Sequence, residues 1–388
     1  MNDLLRRGPE ILPGTWEYEW VASVVAKAAE YAGRDSHWNG KLYEQDGDIS
    51  GIYHTDGSMT ISRKHVLDPA RAVYAAEQTP TRDERWAASS ATEMAVFQAR
   101  LSLSEFGDES APGATPNGSW EDLALERGLA DEFTQRYVGR ISEDLTEHSL
   151  PHGHMSAFPA YTAATGRLMY PLAGATGLGV NQLRDLVEST ERTQRFAAIA
   201  DRAIDHQVGD LVPDAHRAQL REHLTGPLRR GLGGLAMTEH SRLTDPGVKS
   251  RWGDSSAEWT ALEFETNLDT IKDHYESWNA EHPGVEPPEL PDSALETFRD
   301  REDEVRQIWA EAGWPAQRPV AGREQAYYQQ LPEQLYPNER EQEIARLQQF
   351  LWSHTAPSRH TAAQTESGDR PDNVRSIKSA KRPDRGVE

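Results

Sequence analysis

The stretch 86-WAASSATEMAVFQARLSLSEFG-107 places a single carboxylate, Glu93, at the centre of an amphipathic helical pattern. A glutamate so placed can serve as a general base once a nearby group lowers the pKa of a water. Its flanking positions, Thr92 and Val96, are four residues apart and share one helix face. Histidines at such a pair would grip one metal ion, but valine cannot coordinate and neutral threonine is a poor ligand. The other metal candidate is His152-Gly153-His154, with His148 close by in sequence. Two histidines on a glycine loop can reach one ion, with Glu126 or Glu93 as an oxygen donor. The glycine runs 174-GATGLG-179 and 231-GLGGL-235 follow no predicted strand and lead to no Gly-Lys-Ser/Thr, so they read as helix breaks. No GxSxG nucleophile elbow occurs.

The elements that must position these residues are mostly helical. Apolar periodicity predicts helices over 15–33, 86–107 and 120–141, the last capped by Ser119 or Asn117 with acids in its first turn. A short helix is expected at 65–78. Across 49–62, apolar residues flank Asp56-Gly57, a hairpin turn and the one clear β signal. From Pro151 onward the pattern stays helical: 158–176, 180–207, 213–226, 256–281, 291–312 and 338–354, with a Gly-rich connector at 231–235 and a proline-rich break at 283–291. The expected fold class is α+β, predominantly α-helical. Composition divides the chain into 1–145 (hairpin plus two site helices), 146–230 (helical), 231–357 (helical and aromatic-rich) and a polar, disordered tail at 358–388.

Helix, tight-turned strand pair, helix with a central Glu, polar loop, then a helix reading Leu125-Glu126-Arg127-Gly128-Leu129-Ala130 is an ordered plan. It resembles the core of zincin-type metallopeptidases, the branch whose third ligand is a Glu preceding a Gly on a second helix. The resemblance covers residues 15–140, and the pair at 158–190 is similar to helices that follow the site in some such families. It implies Glu93 at the general-base position, Thr92 and Val96 at the two histidine positions, and Arg127 at the ligand Glu. A one-residue shift would put Glu126 there instead. All three ligands are replaced, so the implied site is vestigial and no metal is expected. An Arg127–Glu93 ion pair would fill it.

The chain has 388 residues and a formal charge of −22, which repels nucleic-acid phosphates at long range. It contains no cysteine, excluding disulfides, thiolate metal sites and Cys nucleophiles. No signal-peptide or membrane-spanning run stands out, so a cytoplasmic protein is the expectation, with signal-less export still open. Trp252, Trp259, Trp278, Trp309 and Trp314, with Tyr327, Tyr328 and Tyr336, crowd the C-terminal half and offer contact surface for a protein partner. The expected function is that of a catalytically inactive metallopeptidase-like protein acting in binding or assembly. The alternatives are an active zinc hydrolase using His152, His154, Glu93 and Glu126, and a helical interaction protein unrelated to peptidases.

Overall fold

The structure is a computed structural model and describes residues 7–45, 50–76, 78–146, 150–151, 156–240, 245–291 and 294. The expected helices at 291–312 and 338–354, the tail, the aromatics beyond Trp278 and the histidines at 148, 152 and 154 fall outside these residues.

Helix α1 (Trp16–Ala32) starts where Thr15 accepts the Tyr18 amide and stops at Gly33, whose φ of 64° closes a left-handed cap. Four short strands follow the chain as β1 (Glu10–Ile11), β2 (Leu42–Gln45), β3 (Gly51–Tyr53) and β4 (Met59–Ser62), in spatial order β1-β2-β4-β3. The expected hairpin is β3–β4, antiparallel with Tyr53 opposite Met59. In its turn Gly57 has φ 81° and Asp56 accepts the Ser58 amide at 3.0 Å. Strands β1 and β2 were not expected. They are two and four residues long, too short for alternation to register, and β2 pairs parallel to β4.

A π-helical turn (Arg63–Leu67) leads into α2 (Asp68–Tyr74) and then α3 (Arg82–Leu101). Helix α3 begins earlier than periodicity suggested because Thr81 and Glu84 form a reciprocal capping box. It ends at Leu101 rather than Gly107, with the Ser102 hydroxyl donating back to Ala99 O at 2.6 Å. Helix α4 (Trp120–Leu145) is capped by Ser119.

The remaining helices are α5 (Pro159–Thr176), α6 (Val180–Ser189), α7 (Arg195–Val208), α8 (Arg217–Gly233), α9 (Ala236–His240) and α10 (Pro246–Glu281). Two expectations need correction. The single helix at 180–207 is α6 and α7, separated where the Arg192 amide donates to Glu105 O at 3.0 Å and draws the chain aside. The glycine run expected as a connector at 231–235 instead completes a helix: residues 231–233 are the last of α8 and Gly234 caps it. Gly231 is kept there by packing: a Cβ would lie under 3.0 Å from Thr260 of α10.

Two apolar cores meet at α4. One joins the sheet, α1 and α3 to Phe133, Val138 and Ile141 of α4. The other joins α5, α7, α8 and α10 to Ala124, Leu125 and Leu129 of the same helix. A boundary at 145 therefore coincides with the end of α4 but not with the edge of a core. Trp259 lies in the interior, whereas Trp278 is half-buried, donating to Val285 O at 3.2 Å and stacking on His282. No helix among the described residues is long and apolar enough to cross a membrane.

Candidate functional site

Thr92 and Val96 point into the core over the sheet, and each is 0 % exposed. The Thr92 hydroxyl donates to Ala88 O at 2.8 Å, which leaves its oxygen to accept from the Tyr74 hydroxyl, also at 2.8 Å. Tyr74 in turn meets Ser142 of α4 at 3.3 Å, so one hydroxyl chain ties α2, α3 and α4 together. Burial raises the Tyr74 phenol above its ordinary value. Glu93, one residue round the helix from Thr92, is half-buried. At the end of the same helix, Gln98 donates to Gly51 O of β3 at 3.1 Å.

Arg127 is half-buried and its guanidinium lies 4.9 Å from the centre of the Phe158 ring, which itself stacks on Phe97 of α3 at 5.2 Å. Desolvation pulls its basicity below the ordinary value, while Tyr161 and Glu239 act in the opposite direction. A guanidinium keeps its charge through such a shift. The following Gly128 is where α4 crosses α5: a Cβ there would fall under 3.0 Å from Thr165 and from Tyr161 O.

The charged centre of the molecule is one residue earlier. Glu126 is 1 % exposed and is approached by Arg100 from α3, Arg192 from the 3-10 turn Arg192–Gln194, and Arg195 from the start of α7. Arg195 donates directly to Glu126 and at 2.8 Å to the Ser104 hydroxyl, which Arg100 also reaches at 3.0 Å. Arg192 donates to Leu101 O at 2.6 Å and lies over the Phe106 ring at 4.2 Å. Farther out, Glu188 of α6 sits 3.5 Å from Arg100 and 3.6 Å from Arg34. Burial alone would raise the Glu126 carboxyl, but Arg192, Arg195 and Arg100 outweigh it and bring it down to about 2. Asp122, one turn earlier on α4, is raised by the same burial because fewer contacts compensate it.

This arrangement bears on the sequence-derived candidates. Glu126 is held by cations where a metal ligand would face an ion, so it is poorly suited to bind zinc. Among the described residues no group of three or more His, Asp or Glu side chains is disposed to hold a metal. The sequence reading passed over Arg100, Arg192 and Arg195. A signal existed for the first: Arg100 continues the buried i, i+4 row of Thr92 and Val96, and a charge on a buried row demands a partner.

Two clefts stand out, and neither is lined by Thr92, Glu93, Val96 or Arg127. One, of about 300 Å³, opens between Arg34, Leu103, Glu105 and Glu188. The other, of about 410 Å³, lies between Gln135, Ser156, Thr162 and the start of α10. Beside the latter, the buried Asp131 carboxylate accepts from Ala157 N at 3.1 Å, Thr162 Oγ1 at 2.7 Å, Gln135 Nε2 at 3.0 Å and the Ser156 hydroxyl. That carboxylate is fully engaged in anchoring the start of α5. Compared with known proteins, the chain matches no family model, no curated protein and no solved structure.

Proposed function

We propose that this chain is a catalytically silent, zincin-like protein that acts by binding or assembling with a protein partner. The observation carrying the reading is that Thr92 and Val96, at the two ligand positions, are 0 % exposed and serve as core. A general base without a metal cannot make a nucleophile from water at neutral pH, so Glu93 is assigned no catalytic role. The Gln98–Gly51 hydrogen bond adds support, since it occupies a carbonyl on the outer edge of β3, where an extended peptide would have to pair. A formal charge of −22 makes nucleic acid a poor partner, and the lack of cysteine suits the reducing cytoplasm.

Metal analysis of full-length protein purified without chelator tests this reading. Substoichiometric zinc and no peptidase activity are expected. Stoichiometric zinc that disappears in a His152→Ala, His154→Ala variant would overturn the silent reading, and peptidase activity lost with it would favour the hydrolase. A second reading, a helical interaction protein without peptidase kinship, is favoured by Gly128, whose presence the α4–α5 crossing explains without any ligand position. Hydrogen-exchange mapping of a captured partner separates the two: protection along β3 and α3 supports kinship, and protection elsewhere supports the plain helical protein.

A further inference from the structure

Beyond the end of α10, residues 286–291 read Glu-Pro-Pro-Glu-Leu-Pro and form neither helix, strand nor turn. Proline fixes its own φ and pushes the residue before it to extended backbone, so every residue here except Glu289 is confined to β or polyproline-II geometry. The prolines lack the amide that a strand ladder needs, which leaves the polyproline-II helix with its three residues per turn. Exposure follows that period. Val285, Pro288 and Pro291 are exposed, and so are Glu286 and Glu289, whereas Pro287 is half-buried and Leu290 is 1 % exposed in the core of α5, α7, α8 and α10. Side chains of the body hold the backbone in place. Trp278 donates to Val285 O at 3.2 Å, His274 Nε2 to Pro288 O at 2.9 Å, and Gln219 of α8 to Leu290 O at 3.0 Å.

We propose that this segment is a preformed ligand for a partner domain that reads polyproline-II helices through an aromatic-lined groove with a basic rim. Its three edges have separate tasks. Pro287 and Leu290 anchor it to the body, while Val285, at its head and 57 % exposed, lines up with Pro288 and Pro291 as an apolar edge fitted to aromatic slots. Glu286 and Glu289 form the edge beside it and call for Lys or Arg on the groove's rim. Because the backbone is already fastened, binding orders little that is free, which favours affinity. The chain's formal charge of −22 steers a basic partner towards it and makes a second copy of the same chain a poor occupant. The inference uses neither Glu93 nor any zinc position, so the outcome of metal analysis leaves it untouched.

The test titrates the full-length protein with a panel of purified SH3, WW and EVH1 domains, divided into those with basic and those with acidic groove rims. Saturable binding is expected from basic-rimmed domains. Val285→Asp and Pro288→Ser are each expected to weaken it about tenfold. Glu286→Gln with Glu289→Gln should weaken it at low salt and flatten its salt dependence. All four altered side chains are exposed and the Leu290 anchor is kept, so melting curves should match the wild type. Should Pro288→Ser lower the melting temperature, Val285→Asp decides, because it leaves every proline in place. No binding across the panel overturns the proposal, as does binding by acidic-rimmed domains alone or binding that all three variants leave unchanged. Self-association of the chain that Val285→Asp abolishes would make a second copy the occupant and overturn it too.

Discussion

Arg195, the first residue of α7, donates to Glu126 of α4 across the junction of the two cores, and both side chains are 1 % exposed. With Arg100 on α3, the pair connects helices otherwise packed in different apolar clusters. Glu126→Gln keeps the shape and removes the charge, leaving three buried guanidiniums with no common counter-charge. The expected loss is roughly 3–5 kcal/mol, measured by urea unfolding. Replacing Glu126 and Arg195 together by apolar residues is expected to cost less than Glu126→Gln alone, because fewer charges are left buried. A double variant less stable than Glu126→Gln would contradict that account.

The same carboxyl sets part of the acid response. Glu126 is brought from 4.5 in the unfolded chain to about 2 in the fold, so its stabilisation is complete above 4.5 and disappears as pH falls towards 2. Asp122 and Glu239 are raised by burial, so their ionisation opposes folding above their folded values and acidification relieves it. Stability measured from neutral pH downward should therefore fall less steeply in Glu126→Gln than in the wild type. Asp122→Asn should make the acid loss steeper, since it removes an opposing contribution. Parallel curves for all three proteins would refute the assignment.

Glycines in the helical half separate packing from propensity. At Gly253 of α10 a Cβ would come under 3.0 Å from the backbone carbonyl of Ala160, which cannot swing aside. Gly253→Ala is expected to destabilise by about 1–3 kcal/mol through overpacking, less the ~1 kcal/mol that alanine gains over glycine in a helix. Gly166 of α5 has nothing within 4 Å of its would-be Cβ, so Gly166→Ala should stabilise by up to about 1 kcal/mol. Thermal melts of the two variants should move in opposite directions.

What the sequence disclosed follows from the range of the interactions involved. Helix α1, the β3–β4 hairpin and α5 were legible because their signals are local: a capping Thr15, the Asp56-Gly57 turn, and Gly177 with φ 66° at the end of α5. Strands β1 and β2 were not, since two to four residues acquire strand geometry only by pairing with distant segments, Glu10 with Tyr43 and Leu42 with Met59. The candidate site was legible only in part. Periodicity put Thr92 and Val96 on one face, but only tertiary packing shows that this face is core. The alternative alignment at Glu126 touched the residue that matters, while its partners at 100, 192 and 195 are distant in sequence and declare themselves only in the fold.

The burial of positions 92 and 96 can be tested by introducing histidines there. Thr92→His with Val96→His places a histidine pair at i, i+4 around Glu93 on α3. In an open cleft the double variant would take up zinc and be stabilised by it, since a metal bound only by the folded state adds to folding. Here both positions are 0 % exposed, Thr92 accepts from Tyr74, and Val96 belongs to the buried apolar cluster of the sheet, α1, α3 and α4. Two imidazoles would overfill that space at about 1–3 kcal/mol each and bring ring nitrogens without partners, at a further ~1–3 kcal/mol apiece. The expected result is a large drop in melting temperature that added zinc does not recover, with no metal retained after dialysis. One tightly held zinc per chain together with a restored melting temperature would show that the face opens, and would return Glu93 to the position of a general base.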